Sequence, residues 1–277
     1  MKAQIFIATY RNDYDWVRCS LASIKKFSSG FLPPVVNVPL EDFEWMKKGL
    51  LEVCPDVVIT TRFVRKNAGI RCGFMSAQIA MMRADEYCPE ADFIFLIGSE
   101  SFAVAPFTPE MYFKGSRPAM LVSRYSDLEK CHPDCLCWRP GTERLLGWKP
   151  ELECMRRLPC VYPKEIYTEF REFVASRSPF MTFDDTIYRW DEIHRDTSEQ
   201  NLLGAFAHKY FNGLYEWVDV GCSSLLQATL PEWPNPIATF WSHGGLDRPI
   251  DLVFNSNGVS VHGRTPRQVI KEVMSWG

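Results

Sequence analysis

Nowhere in its 277 residues does the chain carry an apolar run approaching the roughly 20 residues that a membrane helix needs. No signal peptide is expected, because Met1 leads almost directly into a strand-like run, and the expected location is cytoplasmic. A general basic excess is missing as well. The net charge is −3, so the composition lacks the signature of a nucleic-acid binder, although Arg62, Arg65, Lys66 and Arg71 could form a local basic groove. Internal repeats, low-complexity tracts and linkers are absent, which favours one continuous domain. Ala8 to Asp13 contains no glycine, which argues against the Gly-rich phosphate loop of a nucleotidyltransferase.

Cysteine is plentiful, at ten residues, and mostly reduced thiols are expected in this context. Cys19, Cys54, Cys72, Cys88 and Cys222 are scattered and read as small core residues. The run Cys131-His132-Pro133-Asp134-Cys135-Leu136-Cys137 is denser and would suit zinc, with Cys154 or Cys160 to complete the site. Its spacing fits no standard finger or ribbon, so free thiols in a loop are the preferred reading.

The stretch that organises the chain is Asp92 to Pro109. Phe93 to Ile97 is a continuous apolar run of strand length, suited to a strand buried on both faces at the centre of a parallel sheet. It stops at Gly98-Ser99-Glu100-Ser101, where small and acidic residues replace large apolar ones. Ligands of open α/β sheets bind at the carboxyl ends of strands, and Glu100 there could hold a divalent cation. A polar turn after a core strand is the plainer alternative.

Around that stretch the pattern alternates. Strands are expected at Ala3 to Thr9, Val35 to Val38 and Val57 to Val64, with helices at Trp16 to Phe27, Glu41 to Val53 and Phe74 to Tyr87. A further strand is expected over Ala119 to Ser123. From Tyr125 to Pro163 a loop-rich excursion is expected, followed by helices over Pro163 to Ser176 and from a cap at Asp196-Thr197-Ser198-Glu199 to Tyr210. Asp184-Asp185 reads as a loop. Leu214 to Val220 and Ala238 to Trp241 are short strands, Pro231 to Pro236 a rigid loop, and Thr265-Pro266 opens a last helix. The expected class is α/β: a central mixed, mostly parallel sheet flanked by helices.

Five stretches, in order, resemble GT-A-type nucleotide-sugar glycosyltransferases, and more narrowly little-characterised bacterial and phage glycosyltransferase-like proteins. They are Ile7 to Asp13; Gly73-Phe74 with Gln78; Phe95 to Pro109; Glu153 to Pro159 with Val161-Tyr162-Pro163; and Ser198 to Gly204. The resemblance implies a GT-A (Rossmann-like) single domain. Residues 1–125 would form its nucleotide-sugar-binding half and residues 126–277 its acceptor-side half and C-terminal elements. It implies transfer of a sugar, from a UDP-sugar by family habit, to a hydroxyl acceptor, either a glycan or a modified (hydroxymethylated) DNA base. The family's Asp-x-Asp becomes Gly98-Ser99-Glu100 here, which puts the expected Mn2+ or Mg2+ in question and leaves a non-catalytic nucleotide-sugar or glycan-binding protein as the alternative.

Within that frame, Thr9, Arg11 and Asp13 are expected at the base and ribose, Arg71 and Gln78 either at the sugar or phosphates or in capping and packing, Glu100 at the metal, and Ser99 at the donor, where it or Ser101 could hold a water. His243, in Ser-His-Gly-Gly-Leu-Asp-Arg-Pro, loosely resembles a metal-binding His segment of retaining enzymes, with Arg248 facing the diphosphate. Glu199 and Asp219 are candidate bases, with Asp184 and Asp185 as further acceptor-side carboxylates. Glu199 sits in a helix first turn, where the dipole should keep it ionised. Arg156 and Arg157 are expected at the surface or facing the acceptor, and His132, His194, His208 and His262 are read as structural. Nine tryptophans would suit stacking on sugars or on flipped bases, although most aromatics should be core.

Overall fold

The computed structural model describes residues 1–65, 72–194, 196–222 and 235–275. In chain order the elements are β1 (Ala3–Ala8), α1 (Tyr14–Phe27), β2 (Phe31–Pro39), α2 (Phe43–Val53), β3 (Val58–Arg62), α3 (Cys72–Met81), α4 (Ala84–Tyr87), β4 (Phe93–Ile97) and β5 (Ser101–Ala103). There follow β6 (Phe113–Lys114), β7 (Arg117–Arg124), α5 (Tyr125–Cys131), α6 (Arg139–Leu146), β8 (Leu152–Glu153), β9 (Cys160–Pro163), α7 (Lys164–Arg177), α8 (Phe183–His194) and α9 (Glu199–Tyr210). The chain closes with β10 (Glu216–Asp219), β11 (Ile237–Trp241), β12 (Leu252–Asn255) and α10 (Pro266–Ser275).

The central sheet has the order β3-β2-β1-β4-β9, with the first four strands parallel and β9 antiparallel to β4. This is the mixed, mostly parallel sheet that the sequence implies. Both of its faces are covered, which is why β4 is apolar without a break and β1 is apolar except at Gln4, whose buried amide donates to Pro33 O at 2.7 Å. Ile94 and Leu96 point into a core shared with α3, α7 and α9, while Phe95 and Ile97 point into the core under α1 and α2. Full burial of each such side chain contributes roughly 1.5–3 kcal/mol. Because β1 lies between β2 and β4, successive connections leave it in opposite directions. The crevice at the carboxyl ends of β1 and β4 is therefore the topological switch point, the usual ligand position in such sheets.

Two smaller sheets border this crevice. One has β10 parallel to β7, with β6 and β8 also pairing β7. The other, β12-β11-β5, is antiparallel and joins the segment just after Glu100 to the C-terminal region through the Ser101↔Thr239 pair. The sequence pattern marks neither β5 nor β12, nor the short strands β6, β8 and β9. Asp184 and Asp185, expected in a loop, stand in the first turn of α8, where Asp185 N–H donates to Thr182 Oγ1 at 3.1 Å. The expected loop from Tyr125 to Pro163 carries α5 and α6, and the rigid loop over Pro231 to Pro234 lies outside the described residues. Among the described residues, no helix is long and apolar enough to cross a membrane.

Two expectations about cysteine and arginine change. Cys131 and Cys222 form a disulfide with Cα atoms 6.1 Å apart, so Cys222 is not a lone core thiol and Cys131 is not a zinc ligand. Cys135, Cys154 and Cys160 are buried free thiols. Arg156 and Arg157 are buried rather than at the surface: Arg156 pairs with Glu153, and Arg157 lies over the Tyr112 ring at 4.3 Å.

Arg62, at the end of β3, is 5 % exposed and hydrogen-bonds Thr9 O at 2.8 Å, Asn37 O at 2.7 Å, Asn37 Oδ1 at 3.0 Å and Ser76 Oγ at 2.9 Å. It joins the ends of β1 and β2 to α3, and burial pulls its pKa down to about 10. Replacing Arg62 by Met should lower stability by about 3 kcal/mol, because buried carbonyls lose a charged donor. Arg62→Lys should rescue little, lacking the guanidinium fork. Urea unfolding of the two variants measures this, and a loss under 1 kcal/mol for the Met variant would contradict it.

Candidate active site

At the switch point lies a cavity of about 680 Å3. Its walls come from the loop after β1 (Tyr10, Asn12, Asp13), from α3 (Gly73, Phe74, Gln78), from the end of β4 (Gly98, Ser99, Glu100) and from the start of α9 (Ser198, Glu199, Gln200). Trp138, Met155, Trp241 and Phe254 also line it.

The loop after β1 is set by a hydrogen bond from Thr9 N–H to Asn37 O at 3.0 Å and by a single 3-10 turn, Arg11–Asp13, that carries Asp13 toward β4. The Ser99 hydroxyl lies 3.3 Å from Asp13 Oδ2 and 3.4 Å from Glu100 Oε2, able to donate to either. Gly98 has a steric reason for its identity. A Cβ at that position would fall 2.4 Å from Glu100 Oε1, so the glycine leaves room for the Glu100 carboxylate to fold back beside Ser99. On the opposite wall, Ser198 caps α9 by accepting from Asn201 N–H. Asn201 in turn donates from Nδ2 to Glu153 Oε1 at 3.1 Å and accepts from Cys154 N–H at 2.9 Å. Gly204 allows this close seating, since a Cβ there would meet Cys154 Cβ at 2.5 Å.

Three carboxylates therefore share one poorly solvated space. Burial and the Glu100 charge push Asp13 up to about 7, against a Ser99 hydrogen bond that lowers it. Burial likewise raises Glu100 above the usual carboxylate range. Glu199 is pushed up to about 7 by burial, aided by Glu100, and its own backbone hydrogen bond offsets this in part. The helix dipole expected to keep Glu199 ionised is outweighed by desolvation.

For a divalent cation of the Mn2+ or Mg2+ kind, the donors present are right in type. Asp13, Ser99 and Glu100 offer hard carboxylate and hydroxyl oxygens. Among the described residues, no group of three or more His, Cys, Asp or Glu side chains is arranged to hold a metal. Phosphates and water would have to complete the coordination, as is usual for Mg2+.

Of the residues singled out in the sequence, the cavity brings together Asp13, Gln78, Ser99, Glu100 and Glu199. The others lie elsewhere. Thr9 is 1 % exposed and its backbone belongs to the Arg62 network. Arg11 turns away to Asp42 at 3.0 Å and to the Trp45 ring. Asp219 is paired with Arg124 at 3.1 Å on the exposed face of β10. His243 is exposed, with Nδ1 2.9 Å from Asp251 Oδ2, and neither it nor the exposed Arg248 lines the cavity. Asp184 pairs with Arg83 and Asp185 with Arg65. Arg71 lies outside the described residues. The sequence reading places Tyr10, Asn12 and Gln200 in resembling stretches without giving them a role, and it does not single out Trp138, Trp241 or Phe254. Tyr10, Asn12 and Gln200 flank residues that were singled out, whereas Trp138, Trp241 and Phe254 carry no local signal.

Neither a family model nor a curated protein matches the chain. Among solved structures, it is similar to the galactosyltransferase LgtC in complex with donor and acceptor sugar analogs, at 11% identity and a TM-score of 0.44, over 77% of this chain and 72% of that one. It is also similar to mouse xyloside xylosyltransferase 1, at 9% identity and a TM-score of 0.39, over 79% and 86%. An active-site mutant of LgtC matches at 10% identity and a TM-score of 0.39, over 69% and 70%.

Raised carboxylate pKa values have a fixed sign for stability. The folded state holds protons that the unfolded chain releases between about pH 4 and 7, so stability is greatest below the unfolded values and falls as pH rises through about 7. His208, pulled below its usual value by burial, acts the opposite way. In EDTA, Glu100→Gln should therefore show a flatter fall in melting temperature from about pH 5 to 8 than the parent chain. Equal slopes in the two proteins would contradict the coupling.

Proposed function

We propose that this chain is a glycosyltransferase, a hexosyltransferase that moves a sugar from a nucleotide-sugar donor, a UDP-sugar, to a hydroxyl acceptor on a glycan or a hydroxymethylated DNA base. One observation carries the proposal: Asp13, Ser99 and Glu100 adjoin at the carboxyl ends of β1 and β4, and Glu199 faces the same cavity. Residues 1–125 supply Tyr10, Asp13, Gln78, Ser99 and Glu100, which suits a donor half. Residues 126–277 supply Trp138, Glu199, Gln200, Trp241 and Phe254, which suits an acceptor half.

Asp13, Ser99 and Glu100 would hold the cation, with Asp13 standing in for the carboxylate that Gly98 lacks. When bound, Mn2+ or Mg2+ would offset the charge of the departing diphosphate. Tyr10 and Asn12 flank the place of base and ribose. Gln78 presents its amide to the sugar. Arg71 keeps a proposed place at the phosphates. Glu199 accepts the proton of the acceptor hydroxyl, and a pKa of about 7 matches a base working near neutral pH.

Isothermal titration of a nucleotide-sugar panel, with Mn2+ and again with EDTA, tests the proposal when nucleotide release is scored in the same samples. Binding that needs Mn2+, slow release and loss of both in Glu100→Ala are expected. Glu199→Gln should keep donor binding and lower transfer by about a hundredfold. Binding without release in any condition would favour a nucleotide-sugar-binding protein. Binding to no donor would end the glycosyltransferase reading.

A separate pair checks the two candidates placed outside the cavity. Asp219→Asn and His243→Ala should each change donor affinity less than twofold. A tenfold loss in either would return that residue to the site.

A further inference from the structure

We infer that the Cys131–Cys222 disulfide is a redox latch on the cavity wall formed by Trp138 and the start of α9. A dithiol reductant opens it, and that wall loosens while the central sheet stays folded. The bond joins the last residue of α5 to the segment just past β10, 91 positions along the chain. Seven other described cysteines are free thiols. One disulfide among so many thiols marks a selective redox pair rather than a framework of staples. It is also within reach of a reductant, since Cys222 is exposed and Cys131 half-buried. Exposed disulfides are the labile ones.

The region that the bond closes has a small core of its own. Tyr125, Leu128 and Cys135 form a buried cluster separate from that of the central sheet, with Cys131 and Leu136 packed against it. Helix α5 has seven residues, too few to persist without outside restraint. Its restraints include the disulfide at its end, the Arg139–Glu129 ion pair at 2.7 Å and the Arg139 guanidinium over the Tyr125 ring. A unit with so little apolar contact can open without global unfolding.

Two connections run from this unit to the cavity. The 3-10 turn Pro133–Trp138 begins two residues after Cys131 and ends on Trp138, which lines the cavity. Within that turn, the Cys135 sulfur accepts a hydrogen bond from Arg156. Arg156 pairs with Glu153, and Glu153 Oε1 accepts from Asn201 Nδ2 at 3.1 Å. Asn201 N–H donates to the Ser198 cap of α9, next to Glu199. Opening the latch therefore frees Trp138 directly and the first turn of α9 through Cys135.

In the reduction, a thiolate of the dithiol attacks Cys222 Sγ, and the Cys131 sulfur leaves and takes up a proton. The second thiolate of the reductant then closes its own disulfide and releases Cys222, which is protonated in turn. Two electrons enter the protein, and the reductant's two thiol protons end on Cys131 and Cys222. Glutathione disulfide reverses the exchange and leaves as two glutathione thiols.

Hydrogen exchange of the full chain without ligand, read by mass spectrometry in glutathione disulfide and then in dithiothreitol, tests the latch. Alkylation counts thiols in the same samples. Dithiothreitol should free Cys131 and Cys222 without denaturant. Peptides covering 131–146 and 198–204 should then exchange about tenfold faster, those of β1 and β4 should not change, and reoxidation should restore the first rates. Cys222→Ser should exchange like the reduced chain in both buffers, and Cys137→Ser should respond like the parent. Cys135→Ala should keep the response at 131–146 and lose it at 198–204. A disulfide that yields only on unfolding would overturn the inference. So would faster exchange throughout the chain, equal exchange in the two buffers, or a parent response that never reaches α9. The readout needs no nucleotide sugar, so its failure leaves the glycosyltransferase reading standing, and failure of that reading leaves the latch.

Discussion

The buried guanidinium of Arg62 holds the site's floor in place. Arginine presents five donors in a planar fork, and here they reach the end of β1, the end of β2 and the first half of α3 at once. No carboxylate is hydrogen-bonded to it among the described contacts, so its charge is distributed over carbonyl and hydroxyl dipoles. The arrangement makes Thr9 and Ser76 a rigid pair. Tyr10 to Asp13 continue from the first, and Gln78 stands two residues beyond the second. A shift of Arg62 would move both of these cavity walls together.

What this frame positions is electrostatically unfavourable by itself. Burial raises the pKa values of Asp13, Glu100 and Glu199, and the Glu100 charge raises Asp13 and Glu199 further. For Glu199, at 7 % exposed, a rise from 4.5 to about 7 corresponds to about 3 kcal/mol against the ionised form. A fold keeps such a cluster only if neighbouring structure over-determines it, and the neighbours do. Gly98 leaves space for the Glu100 carboxylate, Ser99 links it to Asp13, and the Glu153–Asn201 hydrogen bond with the Ser198 cap fixes the first turn of α9. The unfavourable energy is stored where a cation or a donor-rich ligand would relieve it.

Much of this was legible in the sequence, for identifiable reasons. The strands β1 and β4 announce themselves because burial on both faces makes Phe93 to Ile97 continuously apolar and leaves Gln4 as the one polar residue of Ala3 to Ala8. The start of α9 is marked by Ser198, whose cap is a local interaction, and the stop at Gly98 to Ser101 marks the end of β4. Legibility fails where the cause is tertiary. Asp219 and His243 resemble site residues in type and flanking pattern, but Arg124 and Asp251 hold them at the surface. Arg156 and Arg157 resemble surface charges until Glu153 and the Tyr112 ring are placed beside them. The helical position of Asp184 and Asp185 is a different kind of miss. Thr182 three residues before Asp185 is a local capping pattern, so this helix start is legible in the sequence itself.

The small antiparallel sheet explains how aromatic side chains from distant segments reach a cavity built by the parallel one. Ser101 follows Glu100 directly and pairs with Thr239, their hydroxyls 3.1 Å apart in the core. Two residues on, Trp241 arrives at the cavity rim, backed by Trp16 from α1. Its partner strand β12 brings Phe254. The strand end that presents Glu100 is thus continuous with the sheet that presents the aromatic wall. The acid and the platform are held by the same few hydrogen bonds, so their separation is set by strand register rather than by loop conformation. Register allows no small adjustments, because a one-residue slip would turn Trp241 away from the cavity.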